Sequence, residues 1–103
     1  MSLEIDSIEG LCPVQGEGAF DGVPFYFRAR GERIGIGVHA TDPLGAYMDG
    51  GFGWRMVEPW KPGERFAAGY VSEGDARAFI RRAYDAWLAA SRSPETDERT
   101  EGA

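Results

Sequence analysis

The chain contains a single cysteine and a single histidine, which are the natural candidates for nucleophilic chemistry. A thiol–imidazole pair requires the two side chains to meet. The predicted strand pattern places Cys12 and His39 on opposite faces of a sheet, so we expect no such pair. One residue of each type cannot complete an ordinary zinc site either. Cys12 is expected to be a small buried hydrophobe, and a lone cysteine is typical of a reducing, cytoplasmic compartment.

The glycine-rich and acidic segments do not match phosphate- or metal-binding loops. Gly35-Ile36-Gly37 begins like a dinucleotide-binding fingerprint, but no third glycine follows it at the start of a helix. Asp49-Gly50-Gly51 lacks the series of acidic residues that a calcium loop needs. No pair of carboxylates has a spacing that fixes a catalytic dyad. The sequence therefore predicts no metal and no cofactor, and it favours a protein that is not an enzyme.

The composition is typical of one folded, soluble domain. The chain has 103 residues, of which 43% are apolar and 13% aromatic. The net charge is −6, spread along the chain, which weighs against direct binding to nucleic acid. It is compatible with a basic protein partner, or with solubility alone. No apolar run approaches the roughly 20 residues that span a bilayer, so no membrane association is expected.

Two tight turns between residues 10 and 40 predict a β-meander. Asp21-Gly22 is a strong type I′ hairpin turn, and Gly31-Glu32 suits a type II′ turn, which takes glycine at its first central position. Apolar and polar residues alternate along the flanking segments, as they do in strands with one buried face. The turns also set the pairing register, which gathers one apolar face from Val14, Gly16, Gly18, Phe20, Val23, Phe25, Phe27, Ala29, Ile34, Ile36 and Val38.

Further segments extend the predicted sheet. Residues 1–9 suit an edge strand or an ordered arm, and residues 52–59 suit a fourth strand that stops at Pro59. Residues 66–71 could add a short fifth strand. The turn-forming residues between positions 41 and 51 predict a loop.

One helix is predicted after the sheet. Ser72 can cap its first turn, and an apolar stripe at helical spacing follows. The helix is expected to end near Ser91, because Pro94 cannot continue it. We therefore predict an α+β fold, a four- to five-stranded antiparallel meander with one C-terminal helix on its apolar face. Residues 1–91 form the domain, and the polar residues 92–103 are expected to be disordered.

The predicted register also gathers polar side chains on the opposite face of the sheet. Arg30 would lie opposite Arg33, a like-charge pair that a nearby anion or carboxylate would stabilise. This face is a candidate binding platform for a partner or a ligand. Two alternatives are an ordinary solvated face with a diagonal ion pair between Glu17 and Arg28, and a face covered by residues 41–65. The platform consists of Gln15, Glu17, Tyr26, Arg28, Arg30, Arg33 and His39.

Two tryptophans form a second candidate surface. Trp54 and Trp60 flank Arg55 in the sequence, and tryptophan and arginine are enriched among the residues that dominate protein interfaces. The alternative is that these rings complete the core. Core packing is the stronger expectation for Trp54, whereas both alternatives stay open for Trp60 because its loop is polar.

The segments 12–18 and 24–31 resemble small uncharacterised proteins of proteobacteria and their phages. This resemblance carries no known activity and no site residue. It implies a phage or mobile-element context, in which small acidic proteins are often inhibitors of host defence, anti-CRISPR proteins included.

The predicted function is a non-enzymatic protein-binding module, for example an inhibitor that docks onto a host defence protein. One alternative is a small-ligand-binding protein or enzyme that handles an anionic substrate through Tyr26, Arg28 and His39. Another alternative is a homodimer that uses the polar face as its own interface.

Overall fold

The elements follow one another as a meander of strands with one long helix at the end. The computed structural model describes residues 2–49, 53–61, 63–64 and 67–97. The strands are β1 (Leu3–Glu9), β2 (Val14–Phe20), β3 (Val23–Arg30), β4 (Arg33–Val38) and β5 (Trp54–Pro59). They form one antiparallel sheet in sequence order, and α1 (Pro43–Met48) and α2 (Glu73–Asp97) accompany it. The α+β class, the five-stranded meander and the packed C-terminal helix are confirmed.

The two tight turns have the conformations that their residues predict. Asp21 and Gly22 have φ values of +51° and +84°, as the central residues of a type I′ turn require. Gly31 has a φ of +62° and precedes a residue that keeps a negative φ, as in a type II′ turn. The resulting register pairs Val14 with Ala29 and Arg30 with Arg33, as predicted.

The apolar face of the sheet and α2 share one core. Phe27 of β3 packs against Phe79 of α2 with 5.9 Å between ring centroids, and Ile80 and Ala83 are fully buried beside them. Burial of one large apolar side chain stabilises the fold by roughly 1.5–3 kcal/mol. The predicted cap is present too, because the Ser72 Oγ accepts the N–H of Asp75 at 3.1 Å. The stripe of α2 therefore holds the helix on the sheet.

The first strand confirms the edge-strand prediction and carries an irregularity that the sequence does not show. β1 pairs with β2 along its length, but the register shifts between Ile5, which lies opposite Gly18, and Ser7, which lies opposite Glu17. Asp6 is the extra residue of this bulge.

The loop predicted for residues 41–51 is wrong in part, because it contains α1. Asp42 caps this helix, since its Oδ1 accepts the N–H of Gly45 at 2.9 Å, and Pro43 occupies the first turn. A capping aspartate followed by proline stabilises a helix start, and here it prevails over the turn-forming composition of the segment. Residues 50 and 51 lie outside the described residues.

Residues 67–70 form a 3-10 helix (Ala67–Tyr70) where a fifth strand was predicted. The backbone of this segment forms hydrogen bonds with turn and loop residues instead of a neighbouring strand. The Ala68 N–H donates to the Gly31 carbonyl, and the Gly69 carbonyl accepts from the Cys12 N–H, each at 2.9 Å. Residue 66, the predicted start of the strand, lies outside the described residues.

The predicted end of the long helix near Ser91 is also wrong, because α2 runs to Asp97. Proline keeps a φ value that suits a helix, so its missing N–H weakens the helix at Pro94 without forbidding it. The predicted disordered tail therefore begins inside α2, and disorder in residues 98–103 stays a prediction because they lie outside the described part of the chain. Within the described residues, no helix combines the length and apolar character needed to cross a membrane.

Candidate functional site

The short helix α1 divides the polar face of the sheet into a covered half and an uncovered half. It lies on β4, where Gly35 and Gly37 leave room for it. A Cβ atom at Gly37 would collide with the backbone of Tyr47 and Pro43, and one at Gly35 would lie 2.8 Å from the Tyr47 ring. The predicted alternative of a covered face is therefore right for this half.

Tyr26 belongs to the covered half, which corrects its placement on an exposed platform. Only 9% of its surface is exposed, because the ring of Tyr47 stands edge-on to it at a centroid distance of 5.6 Å. Its hydroxyl donates a hydrogen bond to the Gln15 Oε1 at 2.9 Å. Burial raises the pKa of the Tyr26 phenol, and the positive charge of Arg28 opposes this effect. Tyr26 therefore acts as a neutral, fixed wall.

The uncovered half, which we call the open face, carries charged and polar side chains of strands β1 to β4. The two arginines predicted to lie opposite each other, Arg30 and Arg33, are both exposed. Arg28 is half-buried, and its buried Nε atom finds no hydrogen-bond partner within the described chain. The open face consists of Glu9, Gln15, Glu17, Arg28, Arg30 and Arg33.

His39 lies at the end of the platform, where its ring organises the approach to α1. The Nδ1 atom accepts the backbone N–H groups of Asp42 at 3.0 Å and Thr41 at 3.2 Å. A ring nitrogen that accepts these bonds carries no proton of its own. His39 thus fixes the turn that presents the capping residue of α1, a role that no pattern in the sequence indicates.

A cavity of about 520 Å³ opens between the start of α1 and strands β1 to β3. Three carboxylates from different elements line it: Asp6 at the bulge, Glu17 on β2 and Asp42 at the cap of α1. Tyr26 and Leu44 contribute to its walls. Of these residues the sequence pointed only to Glu17 and Tyr26. The Asp42-Pro43 helix start could have indicated a nearby helix, but the bulge at Asp6 has no local signal.

The two tryptophans lie away from the platform. Trp54 pairs with Val38, so its side chain shares the core face with Phe25 rather than the open face. Trp54 and Trp60 are both half-buried and pack against the core. This packing agrees with the core alternative, and contact of their exposed portions with a partner stays a prediction.

Cys12 is exposed, which corrects the expectation of a buried hydrophobe. It precedes β2 and has a φ of +46°, so the alternation of strand residues does not extend to it. Cys12 and His39 still belong to separate parts of the fold, the first bonded to the 3-10 helix and the second to the start of α1.

Comparisons with protein-family models, curated proteins and solved structures gave no match. In the part of the chain that the structure describes, no group of three or more histidine, cysteine, aspartate or glutamate side chains could hold a metal ion. The function of the chain is therefore inferred from the geometry of the open face and of its cavity.

Proposed function

We propose that this protein is a non-enzymatic protein-binding module that docks through the open face. The observation that carries the proposal is that charged side chains of the open face are exposed and unpaired within the described part of the chain. Glu17, Arg30 and Arg33 are exposed, and none of them belongs to an ion pair within the described residues. Every ion pair within the described residues involves α2, which lies on the other side of the sheet from the open face.

The open face is suited to recognition because its charges are separated and its backbone is rigid. Acidic residues line β1 and β2, whereas the arginines lie on β3 and β4. A complementary pattern on a partner would accelerate association and fix the orientation of the complex. Because paired strands fix the backbone of these residues before binding, docking has to order their side chains but little of the backbone.

The enzymatic alternative has no specific observation in its favour. Tyr26 lines the cavity beside α1, but neither Arg28 nor His39 does. The Nδ1 atom of His39 is engaged by the backbone, and the Tyr26 hydroxyl is engaged by Gln15. Action on an anionic substrate through these three residues thus stays a prediction. For the partner we propose a host protein, and the resemblance to phage proteins makes a defence protein the first candidate.

A charge swap tests docking without changing the net charge. The variant that combines Glu17→Arg with Arg30→Glu exchanges one acidic and one basic charge of the open face. A second variant that combines Arg81→Asp with Asp85→Arg reverses an exposed ion pair on α2. We expect the affinity of the first variant for a host protein captured from lysate to fall by about thirtyfold or more, as it does when a central anchor residue of an interface is removed. The α2 variant should capture like the wild type, and both should melt near the wild-type temperature. Equal capture by both folded variants would refute docking through the open face.

A further inference from the structure

The cavity beside α1 is lined by both carboxylates and apolar side chains. Asp6, Glu17 and Asp42 are all exposed and line it, and no lysine, arginine or histidine among the described residues does. None of the three carboxylates takes part in an ion pair within the described chain. An anionic group would be repelled here, whereas a cation would meet carboxylates from three directions.

The apolar wall favours a cation carried on an aliphatic stem. Ala19, Pro24 and Pro43 line the cavity beside the carboxylates. Lysine and arginine side chains pack their methylene groups on apolar surface while the charged end reaches polar groups. The volume of about 520 Å³ is ample for one such side chain.

An exposed apolar strip leads away from the cavity along α1. Leu44, at its rim, is 46% exposed, and Met48, one helical turn later, is 65% exposed. A free cation would leave this strip unused, whereas a peptide segment could place a neighbouring apolar side chain against it. The charge and the strip together favour a segment of a protein over a small ion.

We propose that this cavity accepts a lysine or arginine side chain from a basic segment of the protein partner, with an adjacent apolar side chain against Leu44. The inference rests on the proposed docking function and deepens it, because it names the chemistry of the bound segment. The cavity lies at the β1–β2 end of the open face and shares Glu17 with it. The partner's basic segment would thus enter where the acidic residues lie.

An NMR titration with short blocked peptides tests the inference directly. We expect acetyl-Leu-Arg-Leu-amide to cause saturable shifts of the Gly18, Ala19 and Leu44 amides in ¹⁵N-labelled protein. Acetyl-Leu-Glu-Leu-amide should cause none, and acetyl-arginine-amide, which carries the same single positive charge, should bind more weakly than the peptide. Combining Asp6→Asn with Glu17→Gln should weaken the peptide by about fivefold or more, since it removes two charge contacts. Asp85→Asn on α2 is the matched control and should leave binding unchanged.

Three results would overturn the inference: no saturable shift at the cavity, equal binding of the glutamate peptide, or equal binding of acetyl-arginine-amide. The dispersion of the NMR spectra shows whether each variant is folded, so a loss of binding is interpretable. If the peptide does not bind but the charge swap on the open face still abolishes lysate capture, docking through the open face is supported and only the binding of a basic segment in the cavity is refuted. If the charge swap has no effect on lysate capture while the peptide binds, the cavity is supported as a binding site and docking through the open face is refuted.

Discussion

At the scale of single residues, Asp21 joins three parts of the chain. It occupies the turn between β2 and β3, and its Oδ1 accepts the Tyr84 hydroxyl of α2 and the Ser2 N–H, both at 2.6 Å. The bond from Tyr84, followed by the one from Ser2, lowers the pKa of Asp21 below its ordinary value. The same contact with Asp21 raises the pKa of Tyr84.

These shifts predict a stability that depends on pH at both extremes. Because the pKa of Asp21 is lower in the folded state, its contribution is complete above its unfolded value of about 3.8 and is lost as the pH falls through the folded value. Because the pKa of Tyr84 is higher in the folded state, its contribution is complete below about 10 and is lost as the pH rises through the folded value. Between these limits the contact stabilises the fold.

Tyr84→Phe should reduce the acid-side dependence, of which the Ser2 bond to Asp21 keeps a part, while preserving the aromatic packing against Phe20, whose ring centroid lies 5.3 Å away. We expect the free energy of unfolding, measured with urea from pH 2 to 5, to fall less steeply with acid in the variant than in the wild type. Tyr70→Phe, an exposed position, is the control and should keep the wild-type slope on the acid side. Equal slopes for the wild type and Tyr84→Phe would show that Asp21 does not gain from this bond.

At the scale of elements, α1 decides which part of the polar face is available. It is short, so its own hydrogen bonds stabilise it little, and it depends on its cap and on its packing over β4. Two features hold α1 on β4. The glycines of β4 allow close contact, and the ring of His39 fixes the turn before Asp42.

His39→Ala should loosen α1, whereas His39→Asn should largely preserve it. Alanine removes the acceptor of two backbone N–H bonds, a loss of about 1–3 kcal/mol in the free energy of unfolding. Asparagine offers an oxygen that can accept from the residues that follow it, as in an Asx turn. Hydrogen exchange of the Ala46 amide, which bonds to the Asp42 carbonyl at 3.1 Å, reports on α1 directly. Equal exchange in wild type and His39→Ala would mean that the ring does not hold this helix.

The meander could be predicted from the sequence because local chemistry determines it. A two-residue turn at Asp21-Gly22 leaves one register for β2 and β3, and the alternation of apolar residues then assigns the faces. Ser72 and the apolar stripe likewise indicate α2. The 3-10 helix and α1 were missed because they have only four and six residues, too few to show a periodic pattern, and because their contacts are made with distant strands.

The candidate site was only partly predictable for the same physical reason. Glu17 and Arg30 follow from strand alternation, so their placement on the polar face was accessible. The cavity requires the bulge at Asp6 and the docking of α1 beside β2 and β3, neither of which leaves a local pattern. Cys12 was misplaced because its positive φ lies in a turn, where strand alternation does not apply.

At the scale of the whole molecule, the sheet has the core on one face and exposed charges on the other, which we propose are used for recognition. One face, with α2, holds the core, and the ion pairs described there serve the helix and its link to β5. The other face is divided by α1, which leaves exposed charges beside an acidic cavity. A homodimer through this face is a further alternative, and sedimentation of the wild type at several concentrations distinguishes it from a monomer that binds another protein.

Site-specific photo-crosslinking in host lysate tests the central claim most directly. Benzoylphenylalanine would replace Glu9 on the open face in one protein and Asp85 on α2 in another, both exposed positions on opposite sides of the sheet. We predict that position 9 crosslinks to a discrete host protein, that position 85 does not, and that excess unlabelled wild type suppresses the product. A host protein crosslinked from position 85 but not from position 9 would contradict docking through the open face.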